Sequence, residues 1–397
     1  MNKRKLVYVP VGVVMLLCLG TVYSWSVFRT PLEQLFNIDA TQSGLPYMFF
    51  LAFYALLMPI TGGFIEKYGP KIIVLVGGLF VGLGWVIAGF TTNIYIFTLA
   101  YGILGGSGVG IVYGVPLSVV TKWFPEKKGF LVGIILLGFG LSPFITAPLA
   151  LHLIEVYGVM NAFKILGLAF LIIVPLLGLF LEFPPKAEMT KTTVIKRGEI
   201  LIELIKSKNF IGLCICFMFG TLVGLMMIGI TSPVGREIIN LSPERSAMFV
   251  SIFSIFNGIG RPLFGSLTDK YGPKKAAITS YTLIMIASIL MIFATEGSIV
   301  IFVIAFSLYF MNLGGWLAIA PTSTAIYFGQ TNYSQNYGYV FTFYGIGAVI
   351  GTLLSGEIRS IFGTYSYVFP IIVVVALLGI ITSLIFFKDE KDTIIVE

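Results

Sequence analysis

Arg261 is the residue on which chemistry can be built. It stands in an apolar run, Asn257-Gly258-Ile259-Gly260-Arg261-Pro262, eight positions before the next charge, Asp269. On a helix that spacing is about 12 Å, at 1.5 Å of rise per residue. A guanidinium so deep cannot readily extend to water, and facing lipid it would cost several kcal/mol, so it must face a wet cavity. All 18 acidic residues lie in polar segments or close to the ends of apolar ones, so none offers it a partner at depth. A brace to helix-end carbonyls is one use for such a group. The stronger reading is an anion clamp, because a guanidinium is a planar fork that matches a carboxylate through two parallel bonds and stays charged at every relevant pH. Asn257 lies one turn earlier on the same helical face, where its amide reaches the same anion or orients the guanidinium.

Other chemistry is poorly supplied. The single histidine, His152, sits near the end of an apolar run, no HExxH occurs, and no paired acids fall within a run, so no catalytic constellation is expected, and neither cofactor nor metal. Cys18, Cys214 and Cys216 all lie in apolar stretches without metal-site spacing and read as packing residues. The glycine-rich run Gly102 to Gly114 has no Gly-Lys-Ser/Thr after it, so it is no phosphate loop; its glycines suit close helix contacts, with Tyr113 a hydroxyl donor among them.

The elements that must position these residues are membrane spans. The chain has 397 residues, 57% of them hydrophobic and 11% charged, with a mean hydropathy of +0.98. A soluble domain carries about 25% charged residues, so this composition calls for lipid as solvent. Spans of roughly 20 residues are expected near 6–28, 43–65, 71–92, 94–120, 130–153, 163–183, 209–232, 246–268, 275–296, 298–328, 336–358 and 366–388. The first follows Lys3, Arg4 and Lys5 without a cleavage signal and reads as a retained helix. The division is then a bundle over 1–183, a polar linker over 184–208 that is amphipathic or flexible, and a second bundle over 209–397. With the N-terminus inside, nineteen of the 25 Lys and Arg fall on the cytoplasmic side. Only Arg29, Lys164, Arg236, Arg245 and Arg359 fall outside, so both termini are expected in the cytoplasm, with the chain in the inner membrane of a bacterial or archaeal cell. This topology also accounts for the net charge of +7 without nucleic acid.

A duplication is written in the loops. Gly62-Gly63-Phe64-Ile65-Glu66-Lys67-Tyr68-Gly69-Pro70-Lys71 follows the second span, and Gly265-Ser266-Leu267-Thr268-Asp269-Lys270-Tyr271-Gly272-Pro273-Lys274 follows the eighth. The five-residue run Lys-Tyr-Gly-Pro-Lys matches in register, as expected of two repeated six-span halves.

The loops resemble the signature of the major facilitator superfamily, an acid, a base and then glycine after spans two and eight. That resemblance implies an all-α membrane protein of twelve transmembrane helices in two pseudo-symmetric six-helix bundles. It further implies that Glu66 and Asp269, with Lys67, Lys71, Lys270 and Lys274 beside them, latch helix ends in one conformation around the turns at Gly69 and Gly272. Tyr23-Ser24-Trp25, Gly108 to Gly114, Lys122-Trp123-Phe124-Pro125-Glu126-Lys127-Lys128-Gly129, Asn257 to Pro262 and Asn336-Tyr337-Gly338 narrow the likeness to the oxalate:formate antiporter family, neighbour of the monocarboxylate transporters. The family implies a carboxylate on Arg261 within an aromatic cage including Tyr23 and Tyr113. Where oxalate carriers have a second cation, this chain has Tyr344; Phe139 replaces a tyrosine, and Trp316 is a bulky newcomer. These departures favour a monocarboxylate of the formate, lactate or pyruvate class over oxalate. Anion exchange by a monomer in the bilayer is the expected mode. The competing expectation is a drug-exporter-like carrier of an uncharged or amphipathic solute, indifferent to Arg261.

Overall fold

The computed structural model describes residues 7–124, 128–184, 204–329 and 333–387. It contains eleven helical segments long and apolar enough to cross a membrane. One of them, Pro243–Ile292, is 50 residues long, about 75 Å at helical rise and more than twice a bilayer's hydrocarbon core. It breaks at Gly272 (φ 82°, ψ 163°), so it makes two crossings and the total is twelve. Gly69, in the matching loop, has nearly the same conformation (φ 80°, ψ 162°). Only glycine tolerates that backbone easily, so the repeat read in the sequence is a repeat in geometry. In both loops a lysine lies over the ring of the next tyrosine, Lys67 on Tyr68 and Lys270 on Tyr271, each at 5.0 Å. The side chain of Glu66 lies outside the described residues, as do 185–203 of the linker.

Several spans are longer than the sequence suggests. Span one runs from Tyr8–Leu19 through a 3-10 stretch, Gly20–Ser24, into Trp25–Phe36. Arg29, expected in an outer loop, is thus inside a helix and 1% exposed. Arg261 is thus not alone as a buried charge within a span. Pro31 looks like a loop signal, yet the helix contains it. The charge is met one turn on by Glu33, with Nε to Oε1 at 3.3 Å.

Span four contains a π-helical stretch, Thr98–Gly105, and its glycines press on backbone: a Cβ at Gly110 would come 2.7 Å from the Tyr54 carbonyl, one at Gly108 2.5 Å from Val81 N. Span five is jointed, with Lys128–Gly140 followed by Ser142–Tyr157.

The two bundles meet closely at the face opposite the Lys-Tyr-Gly-Pro-Lys loops. There Arg29 donates to the Gly229 carbonyl at 3.4 Å, Tyr47 to the Leu225 carbonyl at 3.1 Å, and the hydroxyls of Thr41 and Ser360 are 3.2 Å apart. Arg29 also bonds Ser43 and the Ala40 carbonyl, and lies 5.7 Å from the Tyr365 ring centre.

Candidate anion-binding site

Span eight is held against span ten backbone to backbone. A Cβ on Gly260 would collide with the Met311 carbonyl, and one on Gly314 with the Asn257 carbonyl; one on Gly315 would strike Phe264. Glycine at these points lets two helices approach as small-residue interfaces do in membranes. On span eight, Arg261 and Asn257 instead face span five at Gly140.

Both polar residues are buried, Asn257 completely and Arg261 to 7% exposure. Among the described residues, neither Nε, Nη1 nor Nη2 of Arg261 has a hydrogen-bond partner, and the same holds for Oδ1 and Nδ2 of Asn257. Among the described residues Arg29 and Arg261 are the only buried charged side chains, and Arg29 is fully engaged where Arg261 is not. An uncompensated buried charge is strongly unfavourable, so this arrangement makes sense around an anion that the protein itself does not supply.

A wall of aromatic rings adjoins the clamp. Phe139, next to Gly140, makes edge contacts with Tyr23 at 5.0 Å and Tyr113 at 5.3 Å. The Tyr23 hydroxyl pairs with that of Tyr344 at 2.8 Å, joining span one to span eleven across the two bundles. Tyr23 is carried on the 3-10 stretch of span one, where Gly20 is pressed to the Phe139 carbonyl and Ser142 Oγ donates to the Leu17 carbonyl at 2.7 Å.

Of the residues named from the sequence, Arg261, Asn257, Tyr23, Tyr113, Phe139 and Tyr344 come together. Trp316 does not join them directly. It fits the notch at Gly220 and touches Phe217 and Tyr281, with Phe217 between it and Tyr344. Tyr54, which sequence reasoning missed, is the hub of the wall: its ring contacts Tyr113, Phe139, Phe341 and Tyr344 at 5.2–5.9 Å. Phe341 stacks on Tyr344 at 5.0 Å. The spacing of Tyr337, Phe341 and Tyr344, four then three, marks one helical face and was the signal available for Phe341.

A separate cavity of about 770 Å³ opens at the opposite face, lined by residues including Glu33, Asp39, Arg236, Glu237, Arg359 and Tyr365. It lies beyond Arg29, not at Arg261. Its charges are largely satisfied, Arg359 by Glu237 at 2.6 Å and Glu33 by Arg29 and Ser43.

The family model of the Major Facilitator Superfamily matches residues 11–325 and 218–395. The chain belongs to that superfamily. This major facilitator is 28% identical over 355 residues to the oxalate:formate antiporter of Oxalobacter formigenes, covering 88% of this chain and 84% of that one. It is 24% identical to monocarboxylate transporter 13 of Rattus norvegicus, over 89% and 82% of the two chains. Its fold matches a solved bacterial homologue of the human lysosomal transporter Spinster with a TM-score of 0.74, 15% identity and coverage of 97% and 94%. The chain is therefore a multi-pass integral membrane protein of a transporter family, with twelve helices in the major facilitator arrangement and kinship to organic-anion carriers.

Proposed function

We propose that this major facilitator carries small monocarboxylates of the formate, lactate or pyruvate class by alternating access, with anion exchange as its mode. The observation that carries the reading is the Arg261 guanidinium, buried with all three nitrogens unpartnered beside an equally unpartnered Asn257. One guanidinium balances one carboxylate. A dianion would leave a charge unpaired in a low-dielectric site, because the position where oxalate carriers are expected to hold a second cation is Tyr344, whose hydroxyl is paired with Tyr23. The relatives named for oxalate, formate and monocarboxylates support the class. The charge bias of the loops supports cytoplasmic termini and an inner-membrane location.

Exchange follows from electrostatics. Empty, the occluding bundles must enclose a bare cation; loaded with a monoanion, they enclose a neutral pair. Asn257 does not titrate, and no carboxylate is buried among the described residues to carry a proton instead. The loaded carrier should therefore reorient faster than the empty one.

Proteoliposomes filled with unlabelled acid test both parts in one experiment. Labelled formate, lactate or pyruvate should enter by counterflow faster than the same acid leaves by net efflux. Arg261→Ala should reduce uptake roughly 30-fold or more, since truncating one partner of a buried charged pair costs about 2–5 kcal/mol. Uptake indifferent to Arg261 would point to an uncharged or amphipathic solute, and equal net and exchange rates would remove the exchange mechanism.

A further inference from the structure

The clamp is covered by a glycine, and the manner of the covering is informative. A Cβ built on Gly140 would lie 2.7 Å from Asn257 Oδ1 and 3.4 Å from both Nε and Nη2 of Arg261. Those are its three nearest atoms, so Cζ, which joins the two nitrogens, is no nearer than they are. A point over the flat face of the guanidinium, between Nε and Nη2, would be closer to Cζ than to either nitrogen. Gly140 therefore lies on the side of the Nε–Nη2 edge rather than over Cζ. That edge presents two parallel N–H groups, the geometry in which a carboxylate binds side-on.

The neighbouring chain is built to yield at this point. Span five ends one helix at Gly140 and starts another at Ser142, with Leu141 between them (φ −85°, ψ −3°) and Pro143 just after. Pro143 has no N–H to continue the hydrogen-bond ladder, so the joint is intrinsic to the sequence. Across the seam Gly258 receives Leu141 and Leu137; a Cβ there would be 3.1 Å from Leu141 Cδ2. Spans five and eight thus touch through glycines and leucines around one unpartnered cation.

We propose that Gly140 is part of the carboxylate site itself: its lack of a side chain keeps the Nε–Nη2 edge of Arg261 available, and the substrate seats there by parting span five from span eight at the Gly140–Leu141 joint. A methyl group at 140 would already stand 3.4 Å from both nitrogens of that edge, and a carboxylate is larger than a methyl group. The glycine both closes the empty site and opens it without a side chain to move. This rests on the carboxylate reading of Arg261 and adds the edge at which the anion binds and the element that must give way.

Transport kinetics in proteoliposomes test it, comparing wild type, Gly140→Ala and Gly133→Ala with labelled formate and labelled pyruvate. Gly133 lies two turns earlier on the same helix, and a Cβ there meets nothing within 4 Å. Gly140→Ala should raise KM for both acids alike by about tenfold or more, the equivalent of one charge-assisted contact. Gly133→Ala should leave KM unchanged. An unchanged KM in Gly140→Ala overturns the proposal. A rise confined to pyruvate does so as well, since it would place the substituent, not the carboxylate, against Gly140.

Should Gly140→Ala fail to accumulate in the membrane, Gly140→Asp gives an independent reading, because it tethers a carboxylate at the same edge. Formate should raise the melting temperature of purified wild type in detergent and have no effect on Gly140→Asp. Stabilisation of that variant to the wild-type extent sinks the assignment. Failure of the underlying function reads differently: wild type would then take up neither acid, or Arg261→Ala would transport as well as wild type.

Discussion

At the scale of single residues, the site turns on a pair that cannot change charge. Replacing Asn257 by Asp puts an ionisable carboxyl one turn from Arg261, at an atom position already facing the same space. Ionised, it would pair with the guanidinium and compete with the substrate anion; protonated, it would release the clamp. On the proposed exchange reading, Asn257→Asp should therefore give uptake that climbs as pH falls, with protons moving alongside the acid, where the wild-type profile is expected to be flat. A pH-sensitive dye trapped in proteoliposomes reports this directly, and a flat profile for the variant would show that Asn257 does not share the clamp. Arg261 and Asn257 were legible in the sequence because a charge within an apolar run is costly and so demands a reason. Tyr54 was not, because a chain with 19 tyrosines and 35 phenylalanines gives no ring a distinctive signal until its face is known. Trp316 was conspicuous by rarity alone, and its surroundings belong to the interior of the second bundle.

At the scale of elements, the positions of helices were readable from hydropathy, while their ends and irregularities were not. Apolar length sets where a span must be, but Arg29 and Pro31 read as loop and are helix, because Glu33 and Ser43 supply partners that only the fold brings near. The joint in span five and the 3-10 turn in span one left only weak marks, Pro143 and Gly20. The abundance of glycine reported close helix contacts without saying which ones matter. Two alanine substitutions separate those roles. Gly62 has nothing within 4 Å of a would-be Cβ, whereas Gly314 sits directly on the Asn257 carbonyl. Gly62→Ala should leave thermal stability unchanged or slightly raised, because alanine is the better helix former by about 1 kcal/mol. Gly314→Ala should destabilise by about 1–3 kcal/mol, the usual penalty of overpacking. Melting of the purified protein in detergent decides between them, and equal stabilities would mean that spans eight and ten are not locked where they cross. Because the same contact aims Asn257, the Gly314 variant should also bind substrate less well.

At the scale of the whole molecule, the alternating access proposed above asks the two duplicated bundles to separate at one face while closing at the other. The structure holds them together at the face away from the Lys-Tyr-Gly-Pro-Lys loops, through Arg29, Tyr47, Thr41 and their partners on the second bundle. If transport requires that face to open, fastening it must stop the cycle without touching the substrate site. Thr41 and Ser360 offer the fastening, since their hydroxyls are 3.2 Å apart and belong to spans two and eleven. Cysteines at the two positions would carry sulfur where those hydroxyls now meet, and a disulfide closes when the Cβ atoms come within about 3.5–4.5 Å. The paired substitution Thr41→Cys with Ser360→Cys should cross-link under mild oxidation, cut exchange to the background of empty liposomes, and recover on reduction. Each single substitution should transport normally under both conditions, because both positions are remote from Arg261. The three native cysteines are buried and unpaired, so they are poor competitors for the cross-link. Undiminished exchange by the fully cross-linked protein would show that this contact persists through the cycle, and the opening would then have to be sought along a different seam between the bundles.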